Sequence, residues 1–316
     1  MLKATILRIL VIIPSIFVAS IMIFALVYLI PGDAASSIAG PEATLDQIDA
    51  LRAKLGLDQP PVEQYFTWLG HIFQGDLGTS FVNNANVADQ IALRLPITFE
   101  LALWAFGLAL VIGTITGVVA AIYRGGLLDK IILRLTGLGL AVPEFWVAMI
   151  AIAVLAVQLG IFPAVGIVPW SAGWAEHLRS IFLPSLMLSI GGSAIIARIT
   201  RNSMIEVLSS SYIRTEWALG LGRGKIYSAF ALKNVSIPVI TATGLVLSQL
   251  LGGTVLIETV FNIPGMGSFI VSSALVKDIP AIQASLLIVV LLVMLLNLVI
   301  DLSYRVLDPR TIGARR

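Results

Sequence analysis

The stretch Tyr212–Pro238, YIRTEWALGLGRGKIYSAFALKNVSIP, lies between two long apolar runs, and its reading decides how the rest of the chain is arranged. Arg214, Arg223, Lys225 and Lys233 are set against Glu216 alone. Such a cationic segment between apolar runs belongs on the cytoplasmic side of a bilayer, where Lys and Arg are retained. Gly220 and Gly222 mark a break between two short helices, because glycine weakens a helix interior and supplies the conformations that a turn needs. A short helix, a glycine turn and a return to the membrane together make a docking element.

Working outward, composition places the chain in a membrane. With 58% hydrophobic and 12% charged residues among 316, and a mean hydropathy of +0.98, it has too little polar surface to cover a soluble globule. A span needs roughly 20 apolar residues, and six runs meet that length: Ile9–Ile30, Ile97–Tyr123, Leu135–Ile161, Ile181–Ala197, Val239–Phe261 and Ala281–Ile300. The expected fold is therefore all-α with six transmembrane helices and both termini on one side.

Charge distribution chooses that side. With a cytoplasmic N-terminus, Lys3, Arg8, Arg124, Lys130, Arg134, Arg198, Arg201, Arg214, Arg223, Lys225, Lys233, Arg305, Arg310, Arg315 and Arg316 all lie inside, and Arg52, Lys54, Arg94, Arg179 and Lys277 lie outside. Fifteen of the twenty basic residues on one face put both termini in the cytoplasm. The basic tail then reads as a topology signal or a contact with anionic lipid, and not as a nucleic-acid arm. The first apolar run exceeds the length of a signal-peptide core and reads as a retained span.

The segment 31–96 is the largest part outside the spans, and its acidic content suits the outer side. Within it, TLDQIDALRAKLGL (44–57) has Thr44 as N-cap and Gln47 in the capping-box position, with Leu45, Ile48, Leu51 and Leu55 at helical spacing. PPVEQYFTWLGHIFQG (60–75) predicts a second helix, with prolines at its start and Gly75 at its stop, and GDLGTSF (75–81) reads as a turn. This pair is either a structural cap or a surface that meets a solute-delivery protein. The chain thus divides into a first segment and span (1–30), an external helical region (31–96) and a five-helix core (97–316) that carries the cytoplasmic loop 204–237.

Several motifs are missing. No Gly-x4-Gly-Lys-Ser/Thr loop exists to cradle nucleotide phosphates, the chain has no cysteine, and His71 and His177 lack metal-ligand spacing. Neither a catalytic site nor a metal or cofactor site is expected. Ionisable residues within spans are functional candidates by default. Glu144, in VPEFW, pairs either with Arg134 or with a neighbouring helix. Arg198 and Arg201 read as interface anchors, and Asp301 has Arg305 at i, i+4. Glu258 and Asn262 are candidates for an outer gate or a brace for the turn NIPGMG (262–267). Ser189, Ser193, Thr241, Ser248 and Gln249 bring uncharged polar groups to the later spans and are candidate pathway-lining residues.

The Tyr212–Pro238 stretch resembles the coupling ("EAA") loop of permease subunits of ATP-binding-cassette importers, with Glu216, Trp217 and Ala218 before Gly220, and Ile226 and Pro238 downstream. The resemblance extends almost end to end. IPSIFVASIMIFALVYLIPGD (13–33), LGLDQP (55–60), GDLGTS (75–80), ARITRNSMIEVLSSSYIRT (197–215), ETVFNIPGMG (258–267) and NLVIDLSYRVLDPR (297–310) are similar to the B-type permeases of the dipeptide, oligopeptide, glutathione and nickel importers. Glu216 and Trp217 depart from the Ala and Arg often found in that subgroup.

The resemblance implies a type I importer permease in a bacterial inner membrane, moving di- or oligopeptides, with glutathione, nickel chelates or opines as alternatives. It implies a second homologous permease, two ATPase subunits holding ATP and Mg, and an external solute-binding protein. It further implies that Tyr212, Arg214, Thr215, Glu216, Trp217, Ala218, Gly220, Leu221, Gly222 and Lys225 couple to the ATPase. A secondary transporter would call for an internal repeat and a midplane ion site, and the sequence shows neither convincingly.

Overall fold

The protein is described by a computed structural model covering residues 2–29, 33–40 and 42–307, with side chains described between 12 and 300 except at 34, 37 and 237. The Asp301–Arg305 pair and the tail arginines 310, 315 and 316 fall outside what is described.

In chain order the helices are α1 (Leu2–Leu29), α2 (Ala34–Ala39), α3 (Leu45–Lys54), α4 (Pro61–Phe73), α5 (Val87–Ile122), α6 (Leu127–Ala141), α7 (Glu144–Ala151), α8 (Trp174–Leu208), α9 (Ser211–Ala218), α10 (Arg223–Lys225), α11 (Leu232–Val260), α12 (Met266–Leu275) and α13 (Ile279–Leu307). Among the described residues there is no strand, only a single bridge between Thr79 and Asn86. Among the described residues five helices are long and apolar enough to cross a membrane, namely α1, α5, α8, α11 and α13. The segments Leu127–Ala141 and Glu144–Gln158, bent by 103° at the break between them, meet that standard only as a pair, as a broken span or a re-entrant loop.

That break is where the structure departs from the expected continuous run Leu135–Ile161. Pro143 causes the break: it pushes the residue before it out of the helical region, and Val142 sits at φ −91°, ψ 130°. α6 ends there, Pro143 caps α7, and α7 passes into a π-helical turn over Ile152–Gln158. Glu144 is thereby the first residue of a new helix.

The chain forms two compact units, 1–98 with 264–295, and 99–263 with 296–316. In the first, the capping box is present as expected: Thr44 accepts from the Gln47 N–H, and the Gln47 side chain accepts from the Thr44 N–H. α4 begins with proline at its first position and is followed by Gly75 at φ +81°. Phe24, Tyr65 and Trp68 join α1 to α4, with Ser20 Oγ 2.9 Å from the Tyr65 hydroxyl. Gly78 N–H and then the His71 ring hold the Asp76 carboxyl below its ordinary value. Asp278 accepts from Ser80 Oγ at 2.5 Å and from Phe81 N–H at 3.0 Å, which fixes the turn 79–86. Val87, Ile91, Met266, Phe269, Ala281 and Ala284 form an apolar core.

In the second unit α8 is central, packed by α6, α7 and α11. Small residues let the backbones approach, as in other membrane helix pairs. A Cβ at Gly117 of α5 would lie 2.5 Å from Ala197 O and 2.6 Å from Thr200 Cβ, whereas one at Gly107 would meet nothing within 4 Å. Gly117→Ala is therefore expected to cost about 1–3 kcal/mol through overpacking, and Gly107→Ala to be neutral or slightly stabilising. Thermal unfolding in detergent checks the contrast, and equal melting points for the two variants would contradict the close α5–α8 approach.

Candidate functional site

The segment after α8 folds as its sequence suggests. α9 runs from Ser211 to Ala218, Gly220 turns the chain at φ +78°, and α10 starts at Arg223 and leads through a π-helical turn (Ile226–Ala231) into α11. The turn is closed by Gly220 N–H to Trp217 O at 3.0 Å and Leu221 N–H to Glu216 O at 3.2 Å. Ile213 and Ile226 are fully buried and root the two arms. Asn234 Nδ2 donates to the Tyr212 hydroxyl at 2.9 Å, and the Trp217 and Tyr227 rings meet edge to face.

The opposite side of this element is uncovered. Arg214, Thr215, Ala218, Gly220, Gly222 and Lys225 are exposed, and so are Trp217 and Leu219, at 39% and 73%. Only Glu216 and Leu221 are half-buried. The element is thus an apolar and cationic knob, held at its root and exposed at its tip.

The candidate pathway residues do not converge on one surface. Ser189 and Ser193 open on a crevice of about 260 Å³ between α5, α6 and α8, with Thr116, Leu135, Thr136 and Gly139. Ser248 Oγ donates to Asn297 Oδ1 of α13 at 2.6 Å. Thr241 and Gln249 lie on an exposed stripe of α11 with Leu245, Gly252 and Leu256. At the end of α11, Glu258 is fully buried, Ile263 N–H donates to its backbone carbonyl at 2.8 Å, and Asn262 is exposed at φ +50°. Gly166 N–H donates to Phe261 O, so the loop after α7 is pinned to this turn.

Two features were not foreseen, and for Glu144 the second of the two expected alternatives is found. Arg201 is not simply a surface anchor: its Nε and Nη2 donate to Asp129 Oδ1 and Oδ2 at 2.6 and 2.8 Å, and Gly125 N–H donates to Asp129 Oδ2 at 2.8 Å. His177 is buried between Val168 O, at 2.6 Å from Nδ1, and Glu100 Oε1, at 3.0 Å from Nε2, with Trp170 stacked on its ring and donating to the same carboxylate oxygen. Glu144 forms no ion pair with Arg134 among the described residues, and turns instead toward α8 and α11. Partners separated by some 70 positions leave no local signal in a sequence.

Two family models cover nearly the whole chain. Residues 113–313 match the binding-protein-dependent transport system inner membrane component, and residues 1–102 match the N-terminal membrane component of the same systems. The chain belongs to this family. It is the permease of a binding-protein-dependent ATP-binding-cassette importer, as its coupling-loop resemblance implied.

A Brucella abortus protein provisionally named a peptide transport system permease is 39% identical over 298 residues, covering 94% of this chain and 95% of that one. The glutathione transport system permease of Escherichia coli K12 is 38% identical over 309 residues, 98% of both chains. A chain of the MetNI methionine transporter in an inward-facing form matches with a TM-score of 0.55 at 18% identity, over 69% of this permease and 96% of that chain. The last likeness concerns the fold alone.

Proposed function

We propose that this permease carries short peptides or glutathione inward across a bacterial inner membrane, with both termini in the cytoplasm, together with a second homologous permease, an external solute-binding protein and two ATPase subunits that hold ATP and Mg. The relatives named for peptide and glutathione transport support the solute class. The observation that carries the coupling is the bare knob of α9 and α10, rooted by Ile213 and Ile226 with Trp217 and Leu219 uncovered. Tyr212, Arg214, Thr215, Glu216, Trp217, Ala218, Gly220, Leu221, Gly222 and Lys225 form its contact surface with the ATPase. Closing of the ATPase pair moves this element, and the core 97–316 switches between two packings that differ by only a few kcal/mol.

The pathway candidates remain Ser189, Ser193, Thr241, Ser248 and Gln249, of which α11 exposes Thr241 and Gln249. Glu258 and Asn262 serve the outer gate through the turn that Gly166 grips. The test is uptake of labelled trialanine and labelled glutathione into proteoliposomes holding the co-purified complex. Uptake that needs ATP and the binding protein is the expected result, and uptake driven by an ion gradient without ATP would overturn it.

A further inference from the structure

Glu144 differs from two other acidic residues that this unit draws inward. Asp129 has the Arg201 guanidinium, and Glu100 has the His177 and Trp170 N–H groups. Among the described residues no lysine, arginine or histidine forms an ion pair with Glu144. Its carboxylate occupies a notch built from two missing side chains. A Cβ at Gly191 would stand 2.5 Å from Oε1, and one at Gly253 would stand 3.4 Å from Oε2. Gly191 is midway along α8, within an apolar helix long enough to cross a membrane. Keeping a carboxylate there without a counter-charge is costly and marks a functional group.

The notch is not sealed. Glu144 is only half-buried, and Gln249 Nε2 lies 3.7 Å from the Cβ position at Gly191. Gln249 and Gly252 belong to the exposed stripe of α11 that the pathway reading uses. The break at Pro143 is what aims the carboxylate here, because a straight span would have carried Glu144 on around the α6 helix. A single carboxylate beside one carboxamide is too sparse a ligand set for a metal ion, which wants several oxygens. It suits a protonated amine, which donates one charge-assisted hydrogen bond to a carboxylate and leaves again.

We infer that Glu144, with Gln249 beside it, is a transient subsite for the ammonium group of the passing solute. This rests on the import reading above, and it explains how one path serves peptides or glutathione, since both carry a primary ammonium group. One ion pair formed halfway lowers the barrier without holding the solute, which a permease must release.

The test compares wild type, Glu144→Gln and Glu144→Asp in the assembled complex in proteoliposomes, reading uptake of labelled trialanine and glutathione per ATP hydrolysed. Glu144→Gln keeps the shape and loses the charge, and uptake per ATP should fall about tenfold, the loss of one charge-assisted hydrogen bond. Glu144→Asp should retain more uptake than Glu144→Gln. A purely packing role predicts the reverse order, and that order, or unchanged uptake in Glu144→Gln, overturns the inference. Should the variants fail to co-purify with the ATPase, a hydrophobic carbodiimide on the wild-type complex gives the answer: modification of Glu144 should fall during turnover with trialanine, and unchanged modification counts against the site. Wild type that imports neither probe overturns the import reading itself, an outcome distinct from wild-type uptake that the variants share.

Discussion

Proline in place of Gly220 abolishes ATP-driven uptake in a complex that still assembles, while alanine at the same position leaves most of it. Gly220 holds φ +78° and a Cβ there would meet nothing within 4 Å. Alanine therefore suffers only the left-handed backbone penalty, about 1 kcal/mol. Proline is locked near φ −65° and has no N–H. It cannot adopt this turn, and it deletes the bond from Gly220 N–H to Trp217 O. The expected cost exceeds about 3 kcal/mol, concentrated at the one point that sets the angle between α9 and α10. Since Ile213 and Ile226 root the arms independently of the turn, α8 and α11 should keep their packing while the exposed tip loses its shape. Parallel measurements of uptake, ATP hydrolysis and ATPase co-purification check this. A proline variant with wild-type uptake would sink the coupling role of the knob, and one that no longer assembles would show that the tip is needed for docking before it is needed for movement.

The Gly220 turn, the four-residue capping box of α3 and the start of α4 were legible because their determinants are local: glycine where φ is positive, Thr44 with Gln47, and prolines. The apolar runs likewise announced the spans, since hydrophobic length alone decides what crosses a bilayer. The third span was harder. Its hydropathy is continuous across 135–161, and only the effect of Pro143 on Val142 shows where the helix must bend. What sequence could not give was pairing at a distance. Arg201 reads as one more cytoplasmic arginine until α6 brings Asp129 under it, and His177 gives no hint of Glu100 and Trp170. The candidate pathway residues have the same difficulty: each was chosen for polarity within a span, but the rotation of α8 and α11 decides which of them faces a neighbour and which faces outward. Ser248 is turned to Asn297, whereas Gln249, one residue later, is exposed.

The Asp129–Arg201 pair is expected to carry the largest single contribution to the stability of the second unit. Asp129 is 2% exposed and accepts three hydrogen bonds, two from one guanidinium in a fork and one from Gly125 N–H. Removing either partner leaves the other charge without its ion-pair partner. Arg201 keeps 17% side-chain exposure, so water screens part of that charge and the loss should fall below that of a fully enclosed pair. About 2–3 kcal/mol is expected for Arg201→Met or Asp129→Leu, between the values for surface and enclosed ion pairs. The double variant should recover most of it, because two apolar side chains of similar size remove the desolvation cost together with the attraction. Thermal unfolding of the four proteins in detergent checks the cycle, and additive losses in the double variant would deny the coupling between the two residues. The pair also ties the turn before α6 to α8 ten residues ahead of α9. If movement of the knob switches the packing of the core as proposed, the recovered double variant should regain its melting point without regaining full uptake per ATP, since an apolar contact between α6 and α8 permits slippage that a forked ion pair resists.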